Sequence, residues 1–167
     1  MNNTDYDDTL QETIEKRKRM YDYLNTNDFE LFCTFQLPNN NVENAEMLLK
    51  KWRFNLCTQE NIQIAYKGIV VTSKYTGPHI HLLMLGKNKN GKTLYDIDIK
   101  KWQKEWARLT YRRKNKIEMI SDLMMLPVDN LHDRISYICR PKNMIPGKYE
   151  QIMPFNKNLL KKTSKTN

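Results

Sequence analysis

The chain has 167 residues, with 28 Lys and Arg against 19 Asp and Glu, a formal charge of +9 and a hydrophobic content of 40%. That size and apolar content suit one domain around one modest core and argue against a multidomain chain or one too polar to fold. The charge excess favours a polyanionic partner, nucleic acid before others, because a basic face releases counterions condensed on phosphates; an excess that serves only solubility is the competing reading.

Cys33, Cys57 and Cys139 are odd in number, widely spaced and without a CxxC pair, which argues against a disulfide framework and a zinc ribbon and points to a reducing cytosol. Asp5, Asp7 and Asp8 open the chain, and no apolar run follows the basic stretch Lys16 to Arg19, so a signal peptide is not expected. No run approaches the roughly 20 apolar residues of a membrane span. A soluble, cytoplasmic protein is the expectation, in a host cytoplasm or nucleoid if the chain is encoded by a plasmid or virus.

Thr9 to Leu24 reads as a helix with sparse apolar positions at Leu10, Ile14, Tyr21 and Leu24, an exposed arm or a docking helix, so residues 1–25 are set apart from a main domain over 26–155. Phe29 to Leu37 (FELFCTFQL) is aromatic-rich and ends at Pro38, as a central strand running into a loop does. Val42 to Leu56 follows as an amphipathic helix with Leu48, Leu49, Trp52 and Leu56 inward. Ile62 to Lys74 is β-rich, Tyr75 to Pro78 is a turn, and Ile80 to Leu85 returns as a strand, which makes a hairpin. After the polar loop GKNKNGK, Asp96 to Thr110 is a helix with Ile99, Trp102, Trp106 and Leu109 on one stripe. Lys116 to Leu126 reads as a strand. Asn130 and Asp133 have the N-x-x-D spacing of a helix cap, and the short helix they open ends near Arg140 because Pro141 disfavours helical geometry just before it. Residues 156–167 form a basic tail without an acid, expected to be disordered. This order predicts an α+β fold, an antiparallel sheet with helices packed on one side.

Two of the three histidines fall in GPHIHLLML as His79 and His81. Strand side chains alternate, so both imidazoles project from one face while Ile80, Leu82 and Met84 point to the core. Two neutral ring nitrogens a few ångströms apart are half of a metal site; surface histidines on an exposed sheet face are the plainer alternative.

Three segments then stand in order: FCTFQLP, GPHIHLLML and ISYICRPK. Together, from Phe29 to Lys142, they resemble the HUH endonuclease superfamily, specifically its Rep-like branch of rolling-circle replication initiators. The first resembles that branch's first strand motif, the second its metal motif and the third its tyrosine motif. The resemblance implies a ferredoxin/RRM-like HUH fold and a metal-dependent nicking and joining of single-stranded DNA through a 5′-phosphotyrosyl intermediate, an endonuclease and nucleotidyltransferase activity used in DNA replication. It implies Mn²⁺ or Mg²⁺ as cofactor, with two imidazoles leaning the site toward Mn²⁺.

Tyr137 is the expected nucleophile, with Ile135 and Ile138 facing the core. Among nine tyrosines, Tyr111 and Tyr149 are its rivals, and a structural Tyr137 half buried against the sheet is the alternative. Where the Rep branch usually has a lysine three residues after the tyrosine, this chain has Arg140, with Lys142 just beyond; arginine clamps phosphate or stabilises phenolate but is a poor proton acceptor. The third metal ligand is unassigned: GIVVTSK offers no carboxylate, which leaves Glu30, Gln36, His132 and Asp133 as candidates. Lys74, Tyr75, Lys87, Lys89, Arg112, Arg113 and Lys114 are the candidate DNA contacts, and Lys67 also flanks the hairpin. The partner would be single-stranded DNA at a replication origin or element end; the chain has no P-loop, so any helicase is a separate protein. Two alternatives stay open: a catalytically silent single-strand or RNA binder on the same sheet topology, and a single-tyrosine transposase or relaxase.

Overall fold

A computed structural model of the chain describes residues 3–37, 44–73, 77–88, 90–110, 123–139 and 149–155. In chain order these form α1 (Asn3–Asn25), β1 (Leu31–Gln36), α2 (Ala45–Glu60), β2 (Gln63–Ser73), β3 (Gly77–Lys87), a 3₁₀ turn (Leu94–Asp96), α3 (Ile99–Thr110), β4 (Leu123–Pro127), α4 (Leu131–Ile138) and β5 (Tyr149–Phe155). The strands make one antiparallel sheet in the order β4-β1-β3-β2-β5. The chain is thus α+β, and β1-α2-β2-β3-α3-β4 is a split β-α-β arrangement that places β1 and β3 at the centre.

The hairpin β2–β3 pairs continuously from Gln63 with Lys87 to Ser73 with Gly77. Gly77 has φ of 69°, the left-handed region that a glycine enters without a Cβ penalty where a tight connection rejoins a strand. Gly77 and Pro78, expected in the turn, belong to β3; residues 74–76 lie outside the described residues.

Each face of the sheet is covered, by different helices. On one face Leu31, Cys33, Phe35, Ile64, Tyr66, Val70, Ile80, Leu82 and Met84 pack beneath Leu48, Leu49, Trp52 and Leu56 of α2 and Trp102 and Trp106 of α3. On the other, Phe32, Ala65, Ile69, Val71 and Leu83 pack beneath Met20 and Leu24 of α1 and Ile135 and Ile138 of α4. The expectation of helices on one side is corrected: α1 and α4 cover the face opposite to α2 and α3. A tyrosine on α4 can meet histidines on the sheet only if α4 lies on the histidine face, and period-2 alternation puts the histidines opposite Ile80 and Leu82.

The N-terminal helix docks rather than floats. Leu24 and Met20 are buried, Arg17 Nε donates to the carbonyl of Cys139, and the Tyr21 hydroxyl hydrogen-bonds His132 Nδ1. Ile14, one of the stripe positions, is 51% exposed, while Tyr21 and Leu24 face the protein and the side chain of Leu10 lies outside the described residues. The helices α2 and α3 follow the amphipathic reading, with Leu48, Leu49, Trp52, Leu56, Trp102 and Trp106 buried and Ile99 and Leu109 partly so. β5 was not foreseen. It pairs with β2 from Tyr149 opposite Val71 to Phe155 opposite Tyr66. The tail 156–167 lies outside the described residues.

Candidate nuclease site

The histidine pair sits where β3 is flanked by β1 and β2. His81 faces Thr34 across to β1 and Ile69 across to β2; His79 faces Gln36 and Val71. The rings stand 4.6 Å apart, centroid to centroid, at 80°. His79 is half-buried and His81 is buried, 3% exposed. Nδ1 of His79 lies 3.1 Å from the carbonyl oxygen of Gly77. A carbonyl only accepts, so Nδ1 is the donor, which leaves Nε2 as the lone-pair nitrogen of the neutral tautomer. Nδ1 of His81 lies 3.1 Å from the Thr34 hydroxyl, which can donate or accept. An imidazole held through Nδ1 by an oxygen partner is how metal-binding histidines are oriented.

Tyr137 joins this pair from α4. Its ring meets that of His81 edge-on at 5.1 Å and 89°, and that of Phe32 at 5.8 Å and 80°. Phe32 in turn stacks on His81 at 5.7 Å and 16°. Ile135 and Ile138, both fully buried, turn the helix so that Tyr137, half-buried, reaches His81. The helix is opened by Asn130, whose side-chain oxygen accepts from the Asp133 backbone N–H at 3.2 Å. The cap predicted from N-x-x-D is present, with Asn130 as the capping side chain.

Of the four candidate third ligands, Gln36 is the one the sheet brings beside the pair, as the cross-strand neighbour of His79. Its amide nitrogen donates to the Pro78 carbonyl at 3.3 Å, and an amide oxygen is of the donor type that a divalent cation takes. Glu30 is committed elsewhere: its carboxylate accepts the backbone N–H groups of Leu94 at 2.6 Å and Gly86 at 3.3 Å. Burial raises its pKa above the ordinary carboxylate value, against the lowering effect of those two hydrogen bonds. His132 is exposed and bonded to Tyr21, and Asp133 is exposed in the first turn of α4. Among the described residues no three His, Cys, Asp or Glu side chains gather. Two imidazoles with an amide oxygen fit a borderline cation such as Mn²⁺ better than Mg²⁺, which prefers an all-oxygen shell.

Two residues that the sequence reading passed over shape this site. A Cβ on Gly68 would stand 1.8 Å from the carbonyl oxygen of His81, so only glycine lets β2 approach β3 at the buried histidine. A lone glycine inside a β-rich run was the available signal. Arg134, one turn before Tyr137, lays its guanidinium over the Phe32 ring at 5.4 Å.

The remaining expected site residues divide by position. Lys87 is exposed at the end of β3. Lys67 is buried in β2, opposite Leu83, and is not a solvated flank of the hairpin. Arg140, Lys142, Lys74, Tyr75, Lys89, Arg112, Arg113 and Lys114 lie outside the described residues, as does the rival Tyr111. Tyr149, the other rival, begins edge strand β5. No protein-family model, curated protein or solved structure matches the chain. Among the described residues no helix is long and apolar enough to cross a membrane.

Proposed function

We propose that this protein nicks and rejoins single-stranded DNA as a Rep-like HUH endonuclease, with Tyr137 as nucleophile and His79 and His81 as the protein's share of a divalent-metal site. The observation that carries the reading is convergence: His79 and His81 on β3 and Tyr137 on α4 are far apart in the chain, yet their rings meet on one sheet face. The +9 charge suits a nucleic-acid substrate.

The chemistry is a transesterification. The Tyr137 oxygen forms a bond to the scissile phosphorus, the bond from phosphorus to the 3′ oxygen breaks, and the phenol proton is made up on the departing 3′-hydroxyl through solvent. The phosphotyrosyl bond keeps the energy of the diester, so a later 3′-hydroxyl rejoins the strand without a nucleotide cofactor. The two imidazoles, with Gln36 as third donor, would hold Mn²⁺ or Mg²⁺, which when bound supplies Lewis-acid polarisation of the phosphate. His81 and Phe32 fix the ring of Tyr137 from two sides, which limits the rotamers its hydroxyl must search.

A second reading, a silent single-strand binder, draws on one observation: Ile69 and Val71, the β2 neighbours of the histidines, are apolar where a carboxylate ligand would be in reach. The two readings part on covalent capture. Wild-type protein incubated with a labelled random single-stranded DNA pool and Mn²⁺ is expected to give an adduct stable on a denaturing gel. Tyr137→Phe should keep binding and the melting temperature and lose the adduct. A wild type that gives no adduct with either Mn²⁺ or Mg²⁺ would hand the case to the silent binder.

A further inference from the structure

Arg134 is placed like a ligand-binding residue but has no complete partner among the described residues. Its guanidinium lies over Phe32, the ring that also touches His81 and Tyr137. Arg134 and Tyr137 are three residues apart on α4, so they share one helix face. The Nε–H of Arg134 is buried with no hydrogen-bond acceptor among the described residues. Its one ion pair there is a 3.4 Å contact from Nη2 to Asp129, whose side chain is 76% exposed. Buried guanidinium N–H groups are almost always satisfied, and one that is not asks for an acceptor that arrives with a ligand.

The geometry narrows that ligand's chemistry. Nε and a terminal nitrogen form one edge of the guanidinium fork, spaced to receive two oxygens of a carboxylate or phosphate. Asp129 engages this group through a single long contact to one oxygen, and the ring of Phe32 holds the guanidinium plane without using its N–H groups. The open edge belongs to a cation beside the candidate nucleophile of a basic chain, so an anion that comes with nucleic acid fits both the charge and the place.

We propose that Arg134 is a phosphate-contacting residue, taking a non-bridging oxygen of the single-stranded DNA backbone next to the Tyr137 hydroxyl, and that Asp129 holds its place until DNA arrives. The assignment rests on the nuclease reading for its substrate, though it concerns binding and not the covalent step. It also gives α4 a cation on the N-terminal side of the nucleophile.

The test uses the full chain and a fluorescein-labelled random single-stranded DNA pool, with anisotropy read across a potassium chloride series and melting temperatures recorded in parallel. Arg134→Gln is expected to weaken binding by about tenfold or more, as loss of a charged hydrogen bond does. It should also reduce the log–log salt slope by about 0.7, the share of one phosphate on a single strand. Arg134→Lys should restore the slope and only part of the affinity, because an ammonium keeps the charge without the fork. Asp129→Asn, which removes the competing charge at an exposed position and keeps the oxygen, should tighten binding by about two- to threefold. Wild-type affinity and slope in Arg134→Gln would overturn the proposal. So would an affinity loss in Arg134→Gln that follows its melting temperature, that Arg134→Lys does not rescue, and that leaves Asp129→Asn like wild type. Adduct assays on the same proteins separate the two ideas. Adduct at the wild-type rate in Arg134→Gln, with unchanged binding, sinks the phosphate contact and keeps the nuclease. No adduct in any protein, with binding still dependent on Arg134, sinks the nuclease and keeps the contact.

Discussion

The two faces of the sheet are built from the same strands but to different ends. On the α2/α3 face three tryptophans are fully buried and each indole N–H is satisfied: Trp52 donates to the Trp102 carbonyl at 3.0 Å, Trp102 to Glu60 at 2.9 Å and Trp106 to the Gln36 carbonyl at 3.1 Å. Phe35 packs edge-on to Trp52 and Trp106. On the α1/α4 face the aliphatic cluster is smaller and gives way to His79, Tyr137, Thr34 and Gln36, all half-buried, with an arginine N–H that has no acceptor among the described residues. Hydrogen-bonded polar groups in a dense aromatic layer stabilise; half-exposed polar groups held in place by that layer lie within reach of a ligand. The Trp106 hydrogen bond links the two, since it pins from behind the backbone of Gln36, the cross-strand neighbour of His79.

The sharpest way to break this division is a pair of truncations, one on each face. Trp106→Ala removes a fully buried ring and is expected to cost about 3–5 kcal/mol by chemical denaturation, enough to unfold a marginal domain. His79→Ala, at a half-buried position, should cost less than about 1 kcal/mol and yet abolish divalent-dependent adduct formation. A His79→Ala protein that loses several kcal/mol and keeps its cleavage would mean that the imidazole is core packing and that the faces are not specialised.

A smaller effect sharpens the electrostatic side of the comparison. Glu60, at the end of α2, accepts from Lys92 at 2.7 Å, from Trp102 at 2.9 Å and from Lys101 at 3.2 Å. The Lys92 hydrogen bond is the largest influence holding its pKa below the ordinary value of 4.5, with burial opposing it. Glu105 is held low likewise, first by its hydrogen bond to Arg108. A carboxylate with a depressed folded-state pKa binds fewer protons folded than unfolded. Its contribution is therefore fully present above the unfolded value and is lost as pH falls through the folded one. Acid should thus weaken the α2/α3 layer from about pH 4.5 downward. Glu60→Gln should lose about 1 kcal/mol at neutral pH and show a shallower acid limb in a melting-temperature series. An acid limb as steep as the wild type's would move the effect to other carboxylates.

The same contrast explains which parts were legible in the amino-acid sequence. The α2/α3 face is written in strong periodicities: Leu48, Leu49, Trp52 and Leu56 at helical spacing, and Ile80, Leu82 and Met84 at strand spacing, all buried as expected. His79 and His81 fell on one face for the same reason. The other face is written weakly. Helix α4 has only eight residues, and α1 uses Met20 and Leu24 while leaving Ile14 exposed, so neither pattern says which side of the sheet it covers. β5 escaped because YEQIMPF is short, carries Pro154 and sits at a sheet edge, where proline is tolerated and alternation is poorly enforced. Arg134 and Gly68 are single residues whose meaning comes from a partner across space, Phe32 for one and the His81 carbonyl for the other. No local pattern carries that.

The smallest expected difference compares two helix caps, one on each side of this division. Thr93 opens the 3₁₀ turn at Leu94–Asp96 with a reciprocal cap, its hydroxyl accepting from Tyr95 N–H while the Asp96 carboxylate accepts from Thr93 N–H at 2.7 Å. Asn130 opens α4 through one bond to the Asp133 N–H. Removing either side chain should cost about 1 kcal/mol locally. The consequences differ because of what each element carries. The 3₁₀ turn is anchored by fully buried Leu94 and by Glu30 accepting the Leu94 N–H, so Thr93→Ala should lower the melting temperature slightly and leave adduct formation unchanged. Helix α4 is two turns long and holds Tyr137, so fraying its first turn loosens Arg134 and, through it, the Phe32 ring that packs against the candidate nucleophile. Asn130→Ala should therefore slow adduct formation by several-fold at a comparable loss of stability. Equal and small effects of both substitutions on the adduct rate would show that Phe32 and His81, and not the helix cap, set the position of Tyr137.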